Sequence, residues 1–441
     1  MMKNAAGERA GLGMRWVVTL AMGLLTAGCN TLENVAFSAA WATAAWSFFL
    51  LSLPLFVIGA GPALIFHQLD DMRSGVIGAE FSPVGNEMLV TYREGKQQHL
   101  YQVPADGGDL WPLTSGERFD FDACWSPDGE QIAFVSSNPK RRQADLYLMN
   151  ADGTGQTPLT DDDVLELSPQ FSPDGSRIVL CRWHLGERGK KFVRAELVEV
   201  DVKTGAATIL TEGPNFDFSP TYTNDGAGVL FVRATDMGKT KEAGDMYFGE
   251  YHLNLLDLAT GELRELTEAS AREITSFAVA RGSAQSLIYG VEEAYESMSL
   301  KELAWIDTDV TISSIDGGYP DLTDRYGDPR EKRGPMLSPD GQSLLFVMNA
   351  SKKPEWDHYT FAPFELHEVD RVSGRVRQLT DFGKVVTEPR YASDGERILF
   401  LLNERPGRDR KRHSLWLVER NSGKARKLPI GEWVDEAREK L

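Results

Sequence analysis

The chain has 441 residues, of which 42% are hydrophobic and 41 are glycine, and its formal net charge at pH 7 is −18. Such an apolar share is typical of an ordered, turn-rich globular protein, so the composition excludes a largely disordered chain. The acidic charge argues against nucleic acid as the main partner, because phosphate binding requires a net basic field.

The first segment, residues 1–29, is predicted to be a secretory signal or a first membrane segment. Three basic residues precede an apolar run over 16–28, and small residues follow before Cys29. The ending Leu25-Thr26-Ala27-Gly28-Cys29 resembles the lipobox of bacterial lipoproteins, although Thr26 stands where that pattern usually has Leu. The resemblance implies that Cys29 is lipidated after cleavage of the signal.

A second apolar segment makes residues 30–66 a predicted transmembrane helix. Positions 35–66 contain no charged residue, and a helix of that length exceeds the thickness of a bilayer core. Residues 67–77 are predicted to be a tether. Positive charge lies only before the first segment, which favours a periplasmic position for the following domain. A hairpin of two helices, which would place that domain on the cytoplasmic face, is the alternative.

Residues 119–165 show the pattern of a repeated unit. Ser126-Pro127-Asp128-Gly129 has the composition of a tight turn, because proline presets φ and glycine accepts a positive φ. Residues 131–136 alternate between apolar and polar side chains as a half-buried strand does. A third strand, an Asp152-Gly153 turn and a short fourth strand follow. Four short strands cannot stand alone as a sheet and require similar neighbours.

The same turn and the same closing leucine recur roughly every 50 residues over 78–430. The closing leucines are Leu113, Leu159, Leu210, Leu266, Leu322, Leu379 and Leu428. Repeats of this length with four short strands are how propeller blades appear in a sequence. The predicted fold class is all-β: a β-propeller of seven four-stranded blades, with six as the alternative, preceded by N-terminal membrane helices and followed by a short C-terminal tail, 431–441.

One side of the predicted propeller is expected to bind a protein. Tight Asp-Gly, Thr-Gly and Ser-Gly turns occupy one side, whereas the longer loops between the second and third strands of each blade occupy the other. These loops carry basic and aromatic residues, the types that dominate interface energies. The candidate binding residues are Lys140, Arg141, Arg142, Trp183, Arg188, Lys190, Lys191, Tyr251, Trp305, Trp356, Arg408, Arg410 and Arg412. Ordinary solvated loops are the alternative.

Residues that could support catalysis or bind a metal show no recognisable arrangement. The seven histidines are scattered, and no nucleophile elbow, Walker loop or dinucleotide fingerprint occurs. A group of aspartates is predicted to lie on solvated connectors, with a calcium site as the less favoured alternative: Asp120, Asp122, Asp161, Asp162, Asp163, Asp217 and Asp324. Cys124 and Cys181 are predicted to be buried free thiols. We therefore predict no catalytic residue, no metal site and no cofactor.

The combination of the SPDG turn, an apolar strand, DLYLMNADGTG and a closing LT resembles the TolB-type propeller repeat, and it is similar to propellers of the prolyl oligopeptidase class. The likeness spans 78–430 and is most specific over 125–160. It implies a periplasmic protein that binds another envelope protein. Prolyl oligopeptidases carry a hydrolase domain after the propeller, and since this sequence ends there, that activity is not expected.

These observations predict a membrane-anchored, non-enzymatic scaffold that binds another protein of the bacterial cell envelope through its loop face. The alternative is a sensor or carrier that binds a small ligand, glycan or metal in the central channel. Both predictions exclude an enzyme.

Overall fold

The computed structural model describes residues 75–95, 97–138, 143–186, 192–234, 237–239, 246–248, 251–266, 274–279, 288–293, 310–314, 332–350, 363–404 and 413–430. All secondary structure in these ranges is β-strand, so the all-β class is confirmed. No helix in the described ranges has the length and hydropathy needed to cross a bilayer. The predicted segments 1–29 and 30–66, with Cys29, and the tail 431–441 lie outside the described residues.

The first half of the fold consists of consecutive antiparallel units of four strands. The first unit contains β1 (Gly75–Phe81), β2 (Glu87–Glu94), β3 (Gln97–Pro104) and β4 (Trp111–Pro112). The second contains β5 (Phe119–Trp125), β6 (Gln131–Asn138), β7 (Gln143–Asn150) and β8 (Thr157–Pro158). The third contains β9 (Leu165–Phe171), β10 (Arg177–Leu185), β11 (Phe192–Asp201) and β12 (Ala207–Ile209).

The second half repeats this pattern with two additions. The fourth unit contains β13 (Phe216–Tyr222), β14 (Gly228–Ala234), β17 (Tyr251–Asp257) and β18 (Leu263–Glu265), and a hairpin of β15 (Met237–Lys239) and β16 (Met246–Phe248) lies between β14 and β17 in sequence. A three-stranded sheet follows with β19 (Ile274–Val279), β20 (Ile288–Glu293) and β21 (Val310–Ser314). The next unit contains β22 (Lys332–Leu337), β23 (Ser343–Asn349), β24 (Phe364–Asp370) and β25 (Val376–Gln378). The last contains β26 (Val385–Tyr391), β27 (Arg397–Asn403), β28 (His413–Glu419) and β29 (Ala425–Lys427).

The turn between the first two strands of a unit is held by its own side chains. In the second unit Ser126 Oγ donates to Asp128 Oδ1 at 2.6 Å and accepts from the Gln131 backbone N–H at 2.9 Å. Gly129 adopts a φ of 72°, which glycine reaches without strain. The same hydroxyl-to-Asp bond occurs at Ser172, Thr223 and Ser338. The turn predicted from the sequence is thus a recurring device that sets the strand register.

The closing Leu-Thr pair joins the fourth strand to the third. The Leu210 N–H donates to the Leu197 carbonyl at 2.8 Å, and Thr211 Oγ1 accepts from the Leu197 N–H at 3.0 Å. Equivalent threonine bonds exist at Thr114, Thr160 and Thr380. Because the leucine is largely covered and the threonine satisfies a buried backbone donor, both positions are required by the fold.

Neighbouring units are joined by a parallel contact and by apolar packing. The third strand of one unit pairs with the first strand of the next through a single residue pair, as in Ala195–Phe216 between β11 and β13. Apolar side chains of successive units then form shared clusters, one of which contains Cys181, Leu197, Phe218 and other residues of β9–β14. The core therefore lies between units as well as within them.

The first unit packs against the last. One apolar cluster combines Val76 and Met88 of the first unit with Leu401 and Leu417 of the last. Arg426 donates to the carbonyl oxygen of Asp106 at 2.9 Å. A Cβ on Gly107 would lie 2.6 Å from Pro429, so this turn requires glycine for its close approach as well as for its φ of 84°. β1 pairs with β2 of its own unit, so the two units meet through side-chain packing without exchanging strands. β1 begins at Gly75, within the predicted tether.

Candidate functional site

The residues predicted to bind a protein are almost all outside the described ranges. Only Trp183 and the backbone of Tyr251 are described; Tyr251 is the first residue of β17, where it pairs with Ala234 of β14. The other eleven candidates stay a prediction.

Trp183 corrects the predicted binding face. This side chain is completely buried, and its ring lies 5.3 Å from that of Phe192, 5.7 Å from that of Phe216 and 6.2 Å from that of Phe218. Its Nε1 donates to Cys181 Sγ at 3.3 Å. Trp183 lies on β10, where alternate side chains enter the core, so it serves packing and is unavailable to a partner.

The aspartates predicted to lie on solvated connectors divide into three groups, apart from Asp324, which lies outside the described residues. Residues 161–163 are exposed, as predicted. Asp120 and Asp217 are buried, because they belong to the first strands of their units. Asp120 accepts from Ser136 Oγ at 2.7 Å, and Asp217 is bound by both Nε and Nη2 of Arg233 at 2.7 and 2.8 Å. These carboxylates are paired structural groups, as buried charges must be.

Asp122 belongs to a third class, which we call the inner-strand bulges. In four of the first strands one residue other than glycine has a positive φ: 47° at Asp122, 56° at Ser168, 51° at Ser219 and 53° at Glu388. At each of them the register with the second strand shifts. Backbone in this region is strained for residues with a Cβ, and such strain is concentrated at functional sites.

The bulges have a sequence signal that the repeat analysis missed. Each bulge residue lies four positions before the first residue of the turn, as Ser168 does before Ser172. Ser168, Ser219 and Glu388 are each followed by proline. Proline has no N–H and is confined within sheets to edges and bulges, so an Xaa-Pro pair inside a predicted strand indicates a bulge at that position.

Three of the bulge residues, Asp122, Ser168 and Ser219, form what we call the bulge arc. Asp122 Oδ2 accepts from the Ser168 backbone N–H at 3.0 Å, which joins the first strands of the second and third units. Cys181 of β10 contacts the same bulge, since its Sγ donates to the carbonyl oxygen of Leu167, the residue before Ser168, at 3.3 Å. The hydroxyl oxygens of Ser168 and Ser219 make no hydrogen bond to any described part of the chain. The arc thus holds unused hydrogen-bonding capacity beside a carboxyl group.

The environment of Asp122 changes its ionisation. Burial raises the pKa of this carboxyl from 3.8 to about 7, and the hydrogen bond from the Ser168 N–H opposes only part of that effect. The residue is nevertheless partly exposed to solvent. An enclosed but accessible carboxyl group that titrates near neutral pH has the properties of a general acid or base.

The bulge in β26 carries a second carboxyl group. Burial raises the pKa of Glu388, and the guanidinium of Arg390, whose Nη2 lies 3.2 Å from Glu388 Oε2, opposes the rise. Thr387 Oγ1, next to it in sequence, makes no hydrogen bond to the described residues. The bulge position is therefore polar in two separate parts of the fold.

Comparison with known proteins identifies the repeat. Residues 67–246 match the family described as the TolB beta propeller domain, which confirms the TolB-type repeat predicted from the sequence. No curated protein matches the chain. A solved TolB from Acinetobacter baumannii is 16% identical, with a TM-score of 0.41, over 82% of this chain and 64% of that one.

Several other solved structures with the same fold are enzymes. An oligogalacturonate lyase in complex with manganese has a TM-score of 0.52 and 14% identity, covering 81% of this chain and 85% of its own. A prolyl endopeptidase has a TM-score of 0.56 and 11% identity, covering 95% of this chain and 57% of its own. At such identities the likeness establishes the propeller fold.

These relatives correct the functional prediction. The chain was predicted to be a non-enzymatic scaffold, with a sensor or carrier as the alternative, but propellers of this fold include a lyase and a peptidase. The prediction that the chain is not an enzyme is wrong on that comparison. It failed because a repeat shared by many proteins carries information on fold rather than on function.

The manganese of the lyase raises the question of whether this chain has a matching site. Within the described ranges, no three side chains of the types His, Cys, Asp and Glu gather closely enough to hold a metal ion. The described residues therefore do not fit the metal, and the bulge arc is considered below through its own side chains.

Proposed function

We propose that this TolB-type propeller is an enzyme in which Asp122 transfers a proton to or from a ligand bound at the bulge arc. The observation that carries the proposal is the state of Asp122: a carboxyl group on a strained bulge, enclosed yet accessible, with a pKa raised to about 7. A group with this pKa is present in both protonation states at neutral pH, which suits proton transfer in either direction.

The arrangement supports a division of roles between the two carboxyl oxygens. Oδ2 is held by the Ser168 N–H, so Oδ1 is the oxygen left to exchange a proton. The hydroxyls of Ser168 and Ser219 lie on the neighbouring bulges and can donate to or accept from a polar ligand. Because the bulges are parts of rigid strands, these groups are positioned before a ligand arrives.

We propose elimination on an oligosaccharide as the reaction class. The lyase named above supports this choice, since its match extends over most of both chains. In such a reaction the Asp122 carboxylate takes a proton from a carbon next to a carbonyl group. The electron pair of that C–H bond forms a carbon–carbon double bond, the bond to the leaving oxygen breaks, and the leaving oxygen takes a proton from solvent water. Asp122 later returns its proton to the resulting hydroxide.

The test is an assay for unsaturated products with a panel of uronic-acid oligosaccharides, followed by ultraviolet absorbance. We expect Asp122→Asn to lower kcat by about 100-fold or more, because an amide cannot accept the proton. The wild-type rate should rise as the pH passes through about 7, where Asp122 loses its proton. Asp152→Asn, the same change on an exposed turn, is the matched control and should leave the rate unchanged.

Two results would overturn the proposal. One is undiminished turnover by Asp122→Asn. The other is the absence of unsaturated product from the wild-type protein with every member of the panel.

We also propose seven blades. The six four-stranded units and the sheet β19–β21, which follows the fourth unit in sequence, support this number. A structure determined by electron microscopy or crystallography would show six or seven sheets directly.

Finally, we propose that the propeller is anchored in the bacterial cell envelope on the periplasmic side, where its substrate and any protein partner would also be. The signal-like segment ending at Cys29 and the apolar segment 30–66 support this. Protease should then digest the propeller in spheroplasts, and a palmitate label should disappear in Cys29→Ala. Protection until detergent is added would instead place the propeller in the cytoplasm.

A further inference from the structure

Cys181 occupies a position that four other units fill with valine or leucine. This position pairs with the residue just before the bulge, and here the pair is Leu167–Cys181. In four other units the equivalent pairs are Phe121–Val135, Phe218–Val232, Arg333–Val347 and Thr387–Leu401. Packing alone is therefore satisfied by an apolar side chain, and a thiol must be explained by what it contacts.

The thiol of Cys181 contacts the Ser168 bulge. Its Sγ donates to the carbonyl oxygen of Leu167, the residue before Ser168, at 3.3 Å. Trp183 Nε1 donates to the same sulfur at 3.3 Å, which fixes its direction. One side chain of β10 thus holds the backbone of β9 at its bulge.

The contact continues to Asp122. The Ser168 N–H that holds Asp122 Oδ2 belongs to the peptide whose carbonyl oxygen, that of Leu167, accepts from Cys181. A shift of this peptide would change both hydrogen bonds together. Cys181 itself is completely buried, and burial raises the pKa of its thiol to about 12, so it stays protonated and can donate at neutral pH.

We propose that Cys181 is a positioning residue: its thiol fixes the Ser168 bulge and thereby orients the carboxyl group of Asp122. The inference rests on the proposed function of the bulge arc for its catalytic meaning, but the contacts can be tested without any substrate. Sulfur suits the task because its longer bonds and larger radius reach the Leu167 carbonyl oxygen at 3.3 Å, where a hydroxyl would be too short.

The repeat supplies a conservative variant for the test. Cys181→Val fills the volume as valine does in Val135, Val232 and Val347, so we expect the protein to fold, while the bond to the Leu167 carbonyl oxygen is lost. Val232→Ala, which removes volume at the equivalent position of the fourth unit, is the control for packing. Cys181→Ser restores a donor at a shorter reach.

The measurement is amide hydrogen exchange in the full chain, resolved to single residues by mass spectrometry. In Cys181→Val we expect exchange at the Ser168 amide to be about tenfold faster, because the Leu167–Ser168 peptide loses its hydrogen bond to the thiol, with strands β1–β3 unchanged. The pKa of Asp122 can be obtained by comparing the pH dependence of the free energy of unfolding with and without the substitution Asp122→Asn. In Cys181→Val this pKa should rise, because the Ser168 N–H stabilises the charged carboxylate less well. For Cys181→Ser we expect an exchange rate and an Asp122 pKa between those of the wild type and those of Cys181→Val.

Three outcomes separate the possibilities. Faster exchange at Ser168 with a displaced titration supports the positioning role. Wild-type exchange in Cys181→Val overturns it, and so does a uniform increase like that of Val232→Ala, which would assign Cys181 to packing. If exchange changes as expected while Asp122→Asn retains full activity, the positioning network stands and the proposed function fails.

Discussion

The turns of this propeller and its inner-strand bulges both recur from unit to unit, but the side chains are constant at the turns and vary at the bulges. At the turns, the residue types and bonds are nearly identical from unit to unit, as Ser126, Ser172 and Ser338 show. At the bulges, the strained backbone recurs in four units, but the side chain changes from Asp122 to Ser168, Ser219 and Glu388. Constant side chains indicate a requirement of the fold, whereas a constant backbone with variable side chains indicates a place where the fold permits specialisation.

The two regions also treat aspartate differently. Asp152, on an exposed turn, accepts from Thr154, and these hydrogen bonds lower its pKa. Asp122, on a bulge, is enclosed, and burial raises its pKa to about 7. The Asp152 carboxylate is charged at any physiological pH and stabilises the turn, whereas the Asp122 carboxyl group is present in both its protonated and its charged form near neutral pH.

The largest effect is expected from the packing between the first and last units, on which both regions depend. Leu417→Ala empties a completely buried site in the shared cluster, and the free energy of unfolding should fall by about 2–5 kcal/mol. Leu263→Ala, at an exposed site on β18, should change it by less than about 0.5 kcal/mol. Denaturant unfolding measures both. If the two variants lost equal free energy of unfolding, packing between the first and last units would not contribute more to stability than an exposed side chain does.

The closing threonines should follow. Thr211→Val keeps the side-chain volume but leaves the buried Leu197 N–H without the side-chain oxygen that accepts from it. We expect a loss of about 1–3 kcal/mol in the free energy of unfolding. Thr208→Val, exposed on β12, is the control. A loss at Thr208 as large as that at Thr211 would contradict the role of the hydrogen bond.

Asp122→Asn tests the difference between the two aspartates through pH. Between its unfolded value of 3.8 and its native value of about 7, the native state keeps a proton that the unfolded chain has lost. The free energy of unfolding therefore decreases as the pH rises through this window, and the full penalty is present above it. Below pH 4, which is about the unfolded pKa, Asp122→Asn should have the same melting temperature as the wild type. Above pH 7 its melting temperature should be a few degrees higher than that of the wild type.

Asp152→Asn should behave in the opposite way, which makes it the control. The pKa of Asp152 is lowered on folding, so its contribution is present above its unfolded pKa and is lost as the pH falls. Parallel pH profiles for the two variants would disprove the contrast drawn between turn and bulge.

The smallest effect is expected at an exposed apolar side chain that takes no part in the hydrogen bonds of its turn. Val372 lies in the turn after β24 with 77% of its surface exposed. Val372→Ser should change the free energy of unfolding by less than about 0.5 kcal/mol. A melting curve that differs clearly from that of the wild type would reveal a contact that neither the turn nor the bulge explains.

The sequence by itself determined the strands, the turns, the closing Leu-Thr pairs and the buried state of Cys124 and Cys181. These features depend on local chemistry. A glycine at a positive φ, alternating side chains and a short-range hydroxyl hydrogen bond each involve residues of a single repeat. The TolB-type repeat could be recognised for the same reason.

Only the tertiary structure decided which residues matter beyond the repeat. Trp183 and Asp120 have sequence contexts that fit an exposed loop or connector, yet packing between neighbouring units buries both. The raised pKa of Asp122 arises from enclosure by other strands, and its link to Ser168 spans two units. Enclosure is a property of the assembled sheets, so a pattern read along one strand cannot contain it.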